Sequence, residues 1–191
     1  FSGTLYNTSS FFALYANSDG FTGREAEIPV SERPEIDRWI LSELNSLIRD
    51  VTASLEDYDP TPAARRIDQF VDENLSNWYV RLNRKRFWGG ELTTDKLAAY
   101  QTLYTCLETV VMLAAPIAPF ITDRIFCDLN AISGRHTESS VHLAEYPTSN
   151  AALIDSQLET MMSLAQRASS MVLALRRKVN IKVRQPLQKI I

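Results

Sequence analysis

Glycine is scarce in this chain, with six among 191 residues. Tight hairpins and phosphate-cradling loops depend on glycine, so the shortage argues against a β-rich or phosphate-loop architecture and favours long helices. Cysteine is scarcer still. Cys106 and Cys127 stand alone, with no C-x-x-C pair and no histidine cluster nearby. Lone cysteines of this kind fill core space in a reducing cytosol, so neither a staple nor a metal site is expected. The two histidines, His136 and His142, have no ligand spacing to other residues and are read as capping or solvent-exposed groups. No G-x-G-x-x-G, Walker loop or G-x-S-x-G occurs, so no catalytic residue is assigned. The longest uncharged apolar run, Thr109–Thr122, is too short to span a bilayer and is broken by Pro116 and Pro119. Neither a membrane span nor a signal peptide is read in it. The chain opens without methionine and reads as a piece of something longer.

What the chain does have is clustered positive charge. Overall it is mildly acidic, at net −3. Yet Arg81–Arg86 (RLNRKR) and Arg176–Arg184 (RRKVNIKVR) hold nine of its twenty Lys and Arg residues. Cations kept for solubility are interspersed with acids, whereas clusters aim at a polyanion. Trp78, Tyr79, Phe87 and Trp88 flank the first window. Cations pair with phosphates and flat rings stack on unpaired bases, a mixture suited to single-stranded RNA. A helix dipole explains one or two basic residues in a last turn, but not four beside two tryptophans.

Hydrophobic content of 45% and charged content of 23% are ordinary for a globular protein. The spacing predicts a helix over residues 1–17, a loop to Pro34, and an amphipathic helix from Pro34. Its stripe is Ile36, Trp39, Ile40, Leu44, Leu47, Ile48, Val51 and Leu55. Thr61 is read as the N-cap of the next helix. The stripe of that helix runs Ile67, Phe70, Val71, Leu75, Trp78, Tyr79 and Leu82, and stops at Gly89-Gly90. Further helices are expected over 94–115, 119–129 and 151–178, with a short strand at 141–143. Ile181–Arg184 alternates apolar and basic residues, a strand pattern that would put Lys182 and Arg184 on one face. The expected fold is all-α, a helical bundle over residues 1–178. Residues 179–191 would begin a following domain with its first strand.

Leu75–Trp88 (LSNWYVRLNRKRFW) resembles the anticodon-binding bundle of isoleucyl-tRNA synthetases, in the subgroup shared by eukaryotes and some bacteria. Gly3–Asn17 resembles the helix entering that bundle, and Leu113–Pro119 (LAAPIAP) a proline turn found across related class I synthetases. Ser140–Leu143 and Ile181–Leu187 are similar to this family as well. Valine, leucine and methionine enzymes share the proline turn. The Trp78–Trp88 and Ile181–Leu187 segments point to the isoleucine enzyme.

The resemblance implies a cytoplasmic parent that activates isoleucine with ATP and Mg, transfers it to its tRNA and edits misloaded valine. The HIGH and KMSKS motifs and the editing domain are not in this sequence, and no cofactor is expected in this fragment. Zinc, if any, would sit elsewhere in the parent. The expected partners are the tRNA(Ile) anticodon stem-loop and the other domains of the parent, with the protein a monomer. In this reading Asn7 matches a polar position that reads a base edge. Trp88 would stack a splayed base, and Arg81, Arg84, Lys85 and Arg86 would hold phosphates or bases. Lys182 and Arg184 would track a backbone. Ser9 stands where relatives are expected to carry a bulky aromatic. The alternatives are a helical protein-interaction bundle and the equivalent module of a valine or leucine enzyme.

Overall fold

In the computed structural model, residues 1–186 are described. Seven α-helices and one π-helical stretch account for most of them, and no strand forms among the described residues. The contacts divide the chain into two units, Phe1–Ile154 and Asp155–Ile191. The last long helix therefore groups with the tail.

In the first unit, α1 spans Ser2–Asp19 and buries Leu5, Thr8, Phe12 and Ala16 along one face, with Gly20 closing it in the left-handed conformation. Helix α2 spans Glu35–Glu56, one residue after Pro34, and buries the expected stripe from Trp39 to Val51. Helix α3 is Pro60–Gln69. Its cap is Asp59, not Thr61. Pro60 and Pro62 carry no N–H, so the Asp59 carboxylate takes the first free donor, Thr61 N, at 3.2 Å.

From Phe70 to Val80 the backbone is π-helical, then returns to α as α4, Arg81–Phe87. The wider turn re-phases the buried face. Val71, Leu75, Tyr79, Asn83 and Phe87 are buried at four-residue steps. Leu82 falls out of the stripe and is 56% exposed, and Trp78 is only half-buried. Both were assigned by a 3.6-residue period that this stretch does not keep.

Helix α5, Thr94–Ala114, is the core helix. It is long and apolar enough to cross a membrane by length and composition, but most of it is buried inside the bundle. Tyr100 and Tyr104 meet Phe12 and Phe21 in a ring cluster, with Phe21 stacked on Tyr100 at 5.2 Å between centroids. Such pairs each contribute about 0.5–1.5 kcal/mol beyond area burial. Buried Cys106 is an inert core thiol, its pKa pushed up by burial.

Helix α6 spans Pro119–Ser133 and ends on left-handed Gly134, one turn later than expected. The extra turn is held by the Asn130 side chain, which donates to His136 O and accepts from His136 N, each at 2.9 Å. His136 is accordingly no free surface group. Its Nε2 lies 3.0 Å from Glu108 Oε1, and its ring packs 4.9 Å from Phe126. Val141–Leu143 is a 3₁₀ turn where a strand was expected. Asp123 takes the Ser140 hydroxyl and Val141 N, so those donors need no neighbouring strand.

In the second unit α7 spans Ser156–Lys178, capped by Asp155. No strand follows. Gln185 N donates to Lys182 O at 3.0 Å, closing a turn. The Arg176 guanidinium donates to the carbonyls of Lys182, Val183 and Gln185. A single strand has no ladder to complete, and an arginine fork satisfies the same carbonyls locally. Leu187, the end of the expected junction segment, lies outside the described residues.

Candidate nucleic-acid interface

On α4, Arg81, Arg84, Lys85 and Trp88 follow i, i+3, i+4, i+7, the positions of one helical face. All four are exposed, Trp88 at 55%. Arg81, Arg84 and Lys85 make no hydrogen bond or ion pair among the described residues. Arg84 and Lys85 lie in the last helical turn and face the negative end of its dipole, and with Arg81 and Trp88 they form a positive, aromatic-tipped stripe with no internal partner. Trp88 is the residue where the helix stops, with φ −80° and ψ 124°, and Gly89 and Gly90 follow at φ +54° and +78°.

Arg86 lies off this stripe, and its placement differs from the expected one. Its guanidinium forks onto Asp37 of α2, Nη1 to Oδ1 at 2.7 Å and Nη2 to Oδ2 at 2.9 Å. It also donates to Asp95 Oδ2 at 3.0 Å, to Asp95 O at 2.8 Å and to Asn83 Oδ1 at 3.1 Å. Asp37 is fully buried, and Tyr79 donates to it at 2.8 Å. Burial disfavours the Arg86 charge, but the hydrogen bonds and charge of Asp37 outweigh it and raise the Arg86 pKa. All five of its donors are therefore engaged within the fold.

Helix α1 runs alongside and in the same direction. The Phe1 nitrogen lies 3.2 Å from Asp68 Oδ1, and the Phe11 and Phe87 rings meet edge-on at 5.4 Å. Asn7 is four residues before Phe11, on the same flank and about 6 Å along the axis. It is exposed and its amide has no partner among the described residues. The fold thus puts Asn7 on the side of α1 that meets α4.

Lys182 and Arg184 are exposed but belong to the second unit. They sit in the turn just described, which removes the shared face that a strand would have provided.

Sequence reasoning missed the group that holds the Gly89 carbonyl. Lys96 of α5 is 3% exposed, and its Nζ lies 2.5 Å from Asp19 Oδ2 and 3.2 Å from Gly89 O. Tyr100 donates to the same Asp19 oxygen at 2.5 Å. One signal was available: Lys96 shares a helical face with Tyr100, Leu103 and Leu107, and a lone cation on a core stripe needs a buried partner. Burial alone would raise the Asp19 carboxyl, but hydrogen bonds from Lys96 and Tyr100 and the Lys96 charge hold it below its ordinary 3.8. Asp123 is lowered as well, first by the Ser140 hydroxyl. A lowered carboxylate stabilises the fold fully above its unfolded pKa, and that contribution goes as pH falls through the folded value. Stability should therefore start to fall below about pH 4. Thermal melts followed by circular dichroism from pH 6 downward would check this, and the Asp19→Asn variant should show a smaller drop.

Comparisons with known proteins give the chain its family. Residues 37–191 match the family model described as the anticodon-binding domain of tRNA ligase. The isoleucine–tRNA ligase of Bacteroides thetaiotaomicron is 65% identical over 188 residues, covering 98% of this chain and 16% of that protein. That of Cytophaga hutchinsonii is 61% identical over 191 residues, covering all of this chain and 17% of its own length. That of Dehalococcoides mccartyi is 49% identical over 186 residues, covering 97% of this chain and 18% of its own length. The chain thus spans about a sixth of the length of the curated relatives it matches. It belongs to the anticodon-binding domain family of tRNA ligases.

Proposed function

We propose that this chain is the part of an isoleucine–tRNA ligase that grips the anticodon stem-loop of tRNA(Ile). The observation that carries the reading is the exposed stripe of Arg81, Arg84, Lys85 and Trp88 on one face of α4. Three point charges suit phosphates, and a half-exposed ring at the tip suits an unstacked base. Asn7, on the adjoining flank of α1, offers both an amide donor and an acceptor to a base edge. Lys182 and Arg184 are secondary backbone contacts in this reading. Activation of isoleucine with ATP and Mg would reside in the rest of a monomeric, cytoplasmic ligase, and the chain itself contributes recognition only.

The test is filter binding of tRNA(Ile) and, as a competitor, tRNA(Val), across a salt series. The reading predicts preference for tRNA(Ile) and affinity that falls steeply with salt, as phosphate neutralisation releases counterions. Equal binding of unrelated polyanions would instead favour an interaction bundle for an acidic partner. Trp88→Ala should weaken tRNA binding by about 1–3 kcal/mol with the fold intact, if the ring stacks a base. A variant that unfolds, with no separate loss of binding, would make Trp88 a packing residue.

A further inference from the structure

We infer that Lys96 is a positioning residue: its buried ammonium tethers the Gly89 carbonyl and so fixes how Trp88 is presented. The inference rests on the reading of Trp88 as an RNA contact. Trp88 ends α4, and the two glycines after it adopt positive φ, a backbone with wide freedom when nothing restrains it. Residues 88–90 are all exposed. Among the described residues, the bond from Lys96 Nζ to Gly89 O is the one hydrogen bond joining residues 88–90 to anything outside α4. The ammonium is itself held in place: Asp19 of α1 takes a second donor, and Tyr100 donates to the same Asp19 oxygen. Three helices thus converge on one peptide: α1 through Asp19, α5 through Lys96 and Tyr100, and α4 through the peptide itself. Methionine would fill the same space without the desolvation that a buried ion pair costs. What methionine cannot do is donate to Gly89 O. A ring that must meet a base is held by its supporting shell, and Lys96 is that shell here.

The experiment labels the 191-residue chain with 5-fluorotryptophan. Three ¹⁹F resonances arise from Trp39, Trp78 and Trp88, and Trp88→Phe assigns the last. Lys96→Met is compared with the unsubstituted chain, with Lys96→Arg, and with the pair Asp19→Asn/Lys96→Met, which leaves no unpaired buried carboxylate. Each is read by ¹⁹F spectrum without RNA and by affinity for a tRNA(Ile) anticodon stem-loop. In Lys96→Met the Trp88 resonance should move toward that of free fluorotryptophan while Trp39 and Trp78 hold. Affinity should fall as far as in Trp88→Ala, about 5- to 150-fold. Adding Trp88→Ala to Lys96→Met should cost little more, and Lys96→Arg should restore part of the loss. If all three resonances collapse in Lys96→Met, the double variant decides. A Trp88 resonance unchanged in any folded variant lacking the ammonium overturns the inference. If it moves but neither Lys96→Met nor Trp88→Ala affects RNA affinity, the tether is upheld and the reading of Trp88 as a stacking ring is overturned.

Discussion

Replacing Arg86 by alanine is expected to cost about 3–5 kcal/mol of folding stability, because it leaves the buried Asp37 carboxylate without its countercharge. For a chain of this size that is a fall of roughly 6–20 °C in melting temperature. Asp37 would keep the Tyr79 hydroxyl, 2.8 Å away, but one neutral donor does not replace a two-pronged guanidinium. Lysine at this position should recover only part of the loss, since a single ammonium cannot contact both carboxylate oxygens and Asp95 together. The same change separates two explanations of a basic window. If Arg86 serves the bundle, RNA affinity per folded molecule stays close to that of the unsubstituted protein. A stable Arg86→Ala protein that binds RNA poorly would return Arg86 to the contact surface.

The opposite pattern is expected for the stripe. Arg81→Gln, Arg84→Gln and Lys85→Gln together should leave stability within about 0.5 kcal/mol, as these side chains are exposed and unpaired within the fold. Binding should change strongly. Each cation that neutralises a phosphate contributes about 0.7 to the slope of log affinity against log salt for single-stranded nucleic acid. Removing three lowers the slope by about 2, so between 50 and 200 mM salt the unsubstituted protein should lose roughly 15- to 20-fold more affinity than the variant. Fluorescence anisotropy with a labelled anticodon stem-loop measures both slopes. Identical slopes would mean that the stripe touches no phosphate.

How far the sequence reveals the molecule depends on the range of the interaction concerned. Stripes within one helix are local, and α1, α2 and α5 lie close to where their apolar spacing puts them. The basic window was legible for the same reason, since Arg81, Arg84 and Lys85 are neighbours along one helix. Arg86 was not, because its fate is decided by Asp37, 49 residues away on another helix. The partner of Lys96 is more remote still, at Asp19. Leu82 and Trp78 were misplaced by a different cause: the π-helical turn changes the period on which the reading relied. The tail failed for a third reason. Alternation from Ile181 to Arg184 describes a strand only where a neighbour offers a ladder, and Arg176 takes up those carbonyls instead.

The most direct measurement is a titration of the ¹⁵N-labelled chain with the tRNA(Ile) anticodon stem-loop, following tryptophan indole and arginine Nε signals by NMR. The account predicts that Trp88 Nε1 and the Nε of Arg81 and Arg84 shift, while buried Trp39 and the Asp37-bound Arg86 hold still. Shifts centred elsewhere on the surface, with Trp88 and the stripe unmoved at saturating RNA, would contradict it.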